Sequence, residues 1–143
     1  MLTKEEADYA EFLRIKGISL SEHPEIPKTL SNHAPITVQT IQEILKTDKD
    51  LVDKSVKAYV SYIRYYNEHE LSYLFQLKRL DAGDVANGFG LFYIPTMREL
   101  KGKDFGSFKG KPEEKEGGKF DVNTIPYKDK NKEKQKAIVV EEY

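Results

Sequence analysis

Three features predict a mainly α fold, built as a small helical domain followed by an extended or disordered basic C-terminal tail. The first is a stripe of Val52, Val56, Tyr59, Val60 and Ile63, spaced as one face of an amphipathic helix. The second is a set of capping signals around that stripe: Asp48 before it, Asp81 further on, and glycines at 88 and 90. The third is a change of composition after Met97, where lysine, glycine and glutamate displace apolar residues.

The elements follow in order. Thr3 and Glu6 form a capping box, after which Tyr9, Phe12 and Leu13 share a helix face with Lys16 until Gly17 stops it, so 1–17 is one terminal helix. Residues 18–36 hold Pro24, Pro27 and Pro35 with few apolar anchors and read as a linker. A short helix capped by Thr37 places Val38, Ile41, Ile44 and Leu45 on one side and opens a helical domain over 37–97. In the long helix after Asp48, Lys54, Lys57, Ser61 and Arg64 lie opposite the apolar stripe. Asn67 and Glu68 interrupt it, and Leu71, Leu74, Phe75 and Leu80 begin a second stripe. Asp81 caps a short helix ended by Gly88 and Gly90, and Leu91–Ile94 is extended because Pro95 disfavours helix before it. The charged tail, 98–143, is expected to be disordered from Lys101 to Lys119, with a docking segment at 120–136. There Phe120, Val122, Ile125, Pro126 and Tyr127 supply anchors. Lys128, Lys130, Lys132, Lys134 and Lys136 follow; they would line one side of an extended segment but spread around a helix.

Composition narrows the functions. The 143 residues carry a net charge of −1, 38% hydrophobic residues, 33% charged residues and a mean hydropathy of −0.65, which suits a modest core and wide solvated surface. Any nucleic-acid surface must then be local. Absent cysteine excludes disulfides, thiolate metal sites and cysteine nucleophiles. No apolar run approaches the roughly 20 residues that span a bilayer, so no membrane partner is expected and the setting is intracellular.

Catalytic motifs are missing. No G-x-x-x-x-G-K-[ST] loop, DEAD tetrapeptide, serine–alanine–threonine motif or histidine–arginine–x–glycine–arginine run occurs, and phosphoryl transfer needs such parts together. His69-Glu70 resembles the start of an H-E-x-x-H zinc motif, but position 73 is tyrosine. His23 and His33 have no ligating neighbours. No catalytic residue, metal ligand or cofactor is therefore assigned.

The aromatics cluster between Tyr59 and Tyr93. Tyr59, Phe75 and Phe89 belong to the core, where burying each ring is worth roughly 1.5–3 kcal/mol. Tyr62, Arg64 and Tyr65, with Lys78 and Arg79 at the next helix end, are the surface candidates for RNA, since aromatics beside cations stack on unpaired bases. The tail lysines 128, 130, 132, 134 and 136 form a second candidate, a phosphate-contacting arm.

Several blocks, KAYVSYIRYY, EHELSYLFQLKRLD, GFGLFYIP and MRELKG, followed by DVNTIPYKDKNKEKQK, cover most of 56–136. In that order they resemble the C-terminal extension and tail of DEAD-box ATP-dependent RNA helicases of the large-ribosomal-subunit biogenesis group. Departures are Ala82, where a larger apolar residue is usual, and KGKPEEKEGG, which reads as an insertion. The resemblance implies a partner in ribosomal RNA or the preribosomal particle, with ribosomal or assembly-factor proteins beside it, in the nucleus and nucleolus. It implies ATP and magnesium only for full-length members; this chain, lacking the ATPase motifs, is expected to be inactive alone. It also implies that the first helix closes a RecA-like lobe, whereas the residues alone allow that helix to fold back on the helical domain. The competing functional reading is a stand-alone protein–protein interaction module in which 120–127 docks on a partner groove.

Overall fold

The computed structural model describes residues 6–21, 26–110 and 121–141, with side chains described outside 26–32 and 137–141. Among the described residues five α-helices follow in order: α1 Asp8–Ile15, α2 Ile26–Leu45, α3 Lys49–Asn67, α4 Ala82–Gly88 and α5 Lys130–Glu141. Short 3-10 turns occupy Arg98–Leu100 and Val122–Thr124, and no strand occurs among the described residues, so the mainly α class holds.

α3 is the axis of the fold, and its caps are local chemistry. The Asp48 carboxylate accepts from the Asp50 amide at 3.0 Å, and the helix ends where Asn67 and Glu68 interrupt the stripe. Val52, Tyr59, Ile63 and Tyr66 are buried; Val56 and Val60 are only half-buried. Tyr59, Ile63 and Tyr66 meet Leu77, Leu80, Ala82, Ala86, Leu91 and Leu100 in the main core. Inside it the Tyr59 hydroxyl donates to the Ala82 carbonyl at 3.0 Å, so this polar tip keeps a partner when taken out of water.

The other helix ends obey similar rules. Asp81 caps α4 by accepting from the Asp84 amide at 2.9 Å. α4 is closed at Gly90 (φ +69°), where Gly90 N–H donates to the Asn87 carbonyl and Leu91 N–H to the Ala86 carbonyl, the Schellman arrangement. Gly88 is still helical. Gly17 (φ +80°) closes α1 in the same way, through Gly17 N–H to Arg14 and Ile18 N–H to Leu13. α1 folds back on the domain: Tyr9 lies 5.2 Å edge-on to Phe75, and the Tyr66 hydroxyl donates to the Glu6 carboxylate at 2.7 Å. The Thr3 cap lies outside the described residues.

Three expectations are corrected. The helix predicted from Thr37 begins at Ile26 and passes through Pro35, so much of the expected linker is helical. Pro35 forfeits one amide donor, but the helix is exposed there and water can serve the released carbonyl. Thr37 does not cap it; its hydroxyl donates back to the His33 carbonyl at 3.0 Å, as Thr40 does to Ile36 at 2.9 Å. The second apolar stripe is not a helix either. Residues 68–81 form successive turns that bury Leu74, Leu77 and Leu80, so Lys78 and Arg79 sit on a turn and have no helix dipole to complement.

The third correction concerns 101–110, expected to be disordered. This strap lies across the main core, with Phe105 and Phe108 packed against it. The Asn87 amide donates to the Ser107 carbonyl at 2.8 Å and its oxygen accepts from the Lys109 amide at 2.9 Å. The Lys103 ammonium donates to the carbonyls of Leu77 and, at 2.8 Å, Leu80. Burial holds that ammonium below its usual pKa. Residues 111–119 of the same expectation lie outside the described residues, as does Phe120.

Val122 and Ile125 are buried in a second cluster with Leu45, Val52 and Phe92. Polar bonds fix the segment: Lys49 N–H donates to the Pro126 carbonyl at 2.9 Å, Lys128 N–H to Asp48 at 3.2 Å, and the Tyr127 hydroxyl to Asp53 at 2.7 Å. The docking segment therefore seats on α2 and α3 of its own chain. Beyond it Lys130, Lys132, Lys134 and Lys136 adopt the helical of the two alternatives, in α5, with Lys128 just before it.

Candidate nucleic-acid interface

The candidate residues fall into two groups near opposite ends of α3. Asp50 and Arg64 are 14 residues apart, and at 1.5 Å per residue the groups are separated by about 21 Å along the axis.

At the C-terminal end, Arg64 borders an open groove floored by Ile94, Pro95, Met97, Leu100 and Phe105. Its guanidinium is 3.4 Å from the Glu99 carboxylate and 59% exposed. Such an exposed pair is worth about 0–1 kcal/mol and is readily exchanged for another anion. An adjoining groove carries Lys78 and Arg79 and shares Glu99 and Lys101 with the first. The structure thus brings Arg64, Lys78 and Arg79 to one end of the domain. Arg98 and Lys101 join them. Neither is among the sequence-based candidates: Lys101 falls in the stretch expected to be disordered and Arg98 at the start of the charged tail, and the signal that both are ordered is the apolar Leu100 between them.

The two tyrosines differ. Tyr65 is 71% exposed and edge-on to His69 at 5.6 Å, with His69 itself 4.1 Å from Phe75. Its ring is held from behind and open to solvent, as stacking on a base requires. Tyr62 is 39% exposed and packs on Phe89 and Tyr66 at 5.9 and 6.0 Å. Burial, with Glu6 nearby, pushes its phenol upward in pKa, so Tyr62 is partly a core residue.

The tail lysines divide too. Lys132 is ion-paired with Asp50, and the Lys136 ammonium donates to the Asn123 and Ile125 carbonyls at 2.7 and 3.3 Å, 5.9 Å from the Tyr127 ring centre. Lys128, Lys130 and Lys134 are exposed. Lys132 and Lys54 together hold the Asp50 carboxyl down to about 2. The described residues contain no cluster of three or more metal-ligating side chains. They also contain no helix long and apolar enough to cross a membrane.

The geometry is that of a small helical module whose two groups of basic side chains are interspersed with carboxylates, Glu68, Asp81, Glu99 and Asp104 at one end and Asp50 and Asp53 at the other. Residues 48–97 match the family described as the ATP-dependent rRNA helicase SPB4-like C-terminal extension, a stretch running from the cap of α3 to the residue before the 3-10 turn at Arg98–Leu100. The chain is 34% identical over 144 residues to ATP-dependent rRNA helicase SPB4 of Mycosarcoma maydis, covering 92% of this chain and 18% of the relative. It is 38% identical over 130 residues to DEAD-box ATP-dependent RNA helicase 18 of Arabidopsis thaliana, covering 91% and 20%. With ATP-dependent RNA helicase DDX55 of Xenopus laevis it shares 39% over 102 residues, covering 71% and 16%. The chain spans about a fifth of the length of these relatives. Residues 48–97 thus belong to the SPB4-like C-terminal extension family, and the similarity to these helicases extends over most of the chain.

Proposed function

We propose that this chain is the RNA-binding C-terminal extension of an ATP-dependent rRNA helicase that acts in large-subunit assembly in the nucleolus. It holds ribosomal RNA or the preribosomal particle and does not itself hydrolyse ATP. The observation that carries this reading is the convergence of Arg64, Lys78, Arg79, Arg98, Lys101 and Lys103 around two adjoining grooves that also hold Glu68, Asp81, Glu99 and Asp104, with the exposed Tyr65 ring next to Arg64 in α3. Cations set the backbone in place and an aromatic face receives an unpaired base. Tail lysines 128, 130, 132, 134 and 136 add a second contact region. The protein-docking alternative is weakened because Val122, Ile125 and Tyr127, within its proposed anchor 120–127, are already used within the chain.

The test is fluorescence anisotropy with a structured ribosomal RNA fragment across a salt series. The triple variant Arg64→Gln, Lys78→Gln, Arg79→Gln is expected to bind more weakly, with a log–log salt slope flatter by up to roughly 2, since each single-strand phosphate contact contributes about 0.7. Unchanged affinity and slope, or no binding by the wild type at low salt, overturns the reading.

A further inference from the structure

Lys54, Lys57, Ser61 and Tyr65 recur at steps of three and four along the solvent face of α3. At its N-terminal end this line enters an open cleft where α3 meets the docked tail. Lys54, Lys57, Lys132 and Lys136 line the cleft, against only two carboxylates, Asp50 and Asp53. Both carboxylates are already occupied from within. Asp50 is held between Lys54, at 2.7 Å, and Lys132, while Asp53 accepts from the Tyr127 hydroxyl and faces the Lys49 ammonium at 3.5 Å. Lys57 makes no ion pair or side-chain hydrogen bond with any described residue. Lys136 gives its hydrogen bonds to two neutral carbonyls, which leaves its charge uncompensated. Two unneutralised ammonium groups thus flank one open cleft.

We infer that the cleft between α3 and the docked tail, with Lys57 and Lys136 as its charged lips, seats a phosphodiester of an RNA strand. From there the strand continues along α3 to Arg64 and Tyr65. This rests on the RNA-binding reading and adds Lys57 and Lys54, which neither candidate group contained. Lys57 and Arg64 are seven residues apart, about 10 Å along the axis, so the cleft and the grooves form one track. The seat exists only while Val122 and Ile125 hold the tail on α2 and α3, because they deliver Lys136. RNA bound there bridges tail and domain.

The probe is a fluorescein-labelled single-stranded 12-nucleotide RNA titrated with the full chain over a salt series. Loss of one single-strand phosphate contact flattens the log–log slope by about 0.7 and, referred to 1 M salt, weakens binding about fourfold at 0.15 M. Lys57→Gln is expected to show both, with an unchanged melting temperature because Lys57 supports nothing in the fold. Lys109→Gln, which removes an exposed lysine outside the track, is expected to show neither. In an Ile125→Asp background, where the tail is released, Lys57→Gln is expected to add much less than fourfold. The inference is overturned if wild type binds but Lys57→Gln changes nothing, if Lys109→Gln costs as much, or if Lys57→Gln still costs fourfold without the docked tail. Absence of wild-type binding overturns the underlying RNA reading as well, so the two failures are distinct.

Discussion

Gly90 shows how little room a single position leaves. Its φ of +69° is one that other residues adopt at a cost of about 1–2 kcal/mol, and a Cβ there would stand 2.7 Å from Ile41 Cγ2. The first term is strain in α4's closing turn; the second pushes α2 away. Gly90→Ala is expected to destabilise by about 2–3 kcal/mol and lower the thermal midpoint by several degrees, read by circular dichroism. Tyr127 and Asp50 set a pH window for the tail. The Asp53 carboxylate, then burial, pushes the Tyr127 phenol up to about 12, so its contribution is full below the ordinary value of 10.0 and is lost as pH rises through about 12. Lys132 and Lys54 lower Asp50 to about 2, so its contribution is full above the ordinary 3.8 and is lost as pH falls through about 2. Amide exchange of 121–136, corrected for intrinsic rates, is expected to show constant protection from about pH 4 to 10 and weakening outside it.

At the scale of elements, the strap over 101–110 depends on one amide side chain. Asn87→Ala removes the partners of the Ser107 carbonyl and the Lys109 amide, a loss of about 1–3 kcal/mol if they stay buried. Faster exchange at 103–110, with α3 unchanged, is the expected result. The same element explains what could be read in advance. Asp48, Asp81, Gly17 and the α3 stripe act on neighbours within four or five residues, so the sequence displays them openly. Asn87 meets Ser107 across 20 residues and Lys103 meets Leu77 across 26, and no local pattern announces either bond. In α2, Pro27 and Pro35 argue locally against a helix; the packing of Ile41 and Leu45 on α3, Phe92 and the tail outweighs that preference.

Over the whole molecule, the tail is a clasp joining α2, α3 and residue 92. Ile125→Asp places a charge among Leu45, Val52 and Phe92, where desolvation costs several kcal/mol. Releasing the tail relieves that cost, so limited proteolysis is expected to cut 121–136 rapidly while Tyr59, Ile63 and their partners keep α3 folded. A fully unfolded variant would instead make the clasp part of the essential core. The candidate site was legible as residue types and not as an arrangement. Arg64 and Tyr65 could be assigned to the surface from helical phase, and Lys78 and Arg79 from their charge alone, since the helix expected there is a set of turns. That Lys132 reaches Asp50 across 82 residues depends on tertiary docking, which periodicity does not encode.

The Gln42 side-chain amide donates to the Gly110 carbonyl at 3.4 Å, and three residues further along α2 Leu45 packs in the cluster that holds Val122. The two points that bound residues 111–120 are therefore fastened within about one turn of the same helix. Closure entropy for a stretch whose ends are already neighbours grows only with the logarithm of its length, about 0.6 kcal/mol for each doubling. A change in the number of residues between Gly110 and Asp121 would therefore cost little in closure entropy, because α2 holds both flanking points whatever their separation along the chain.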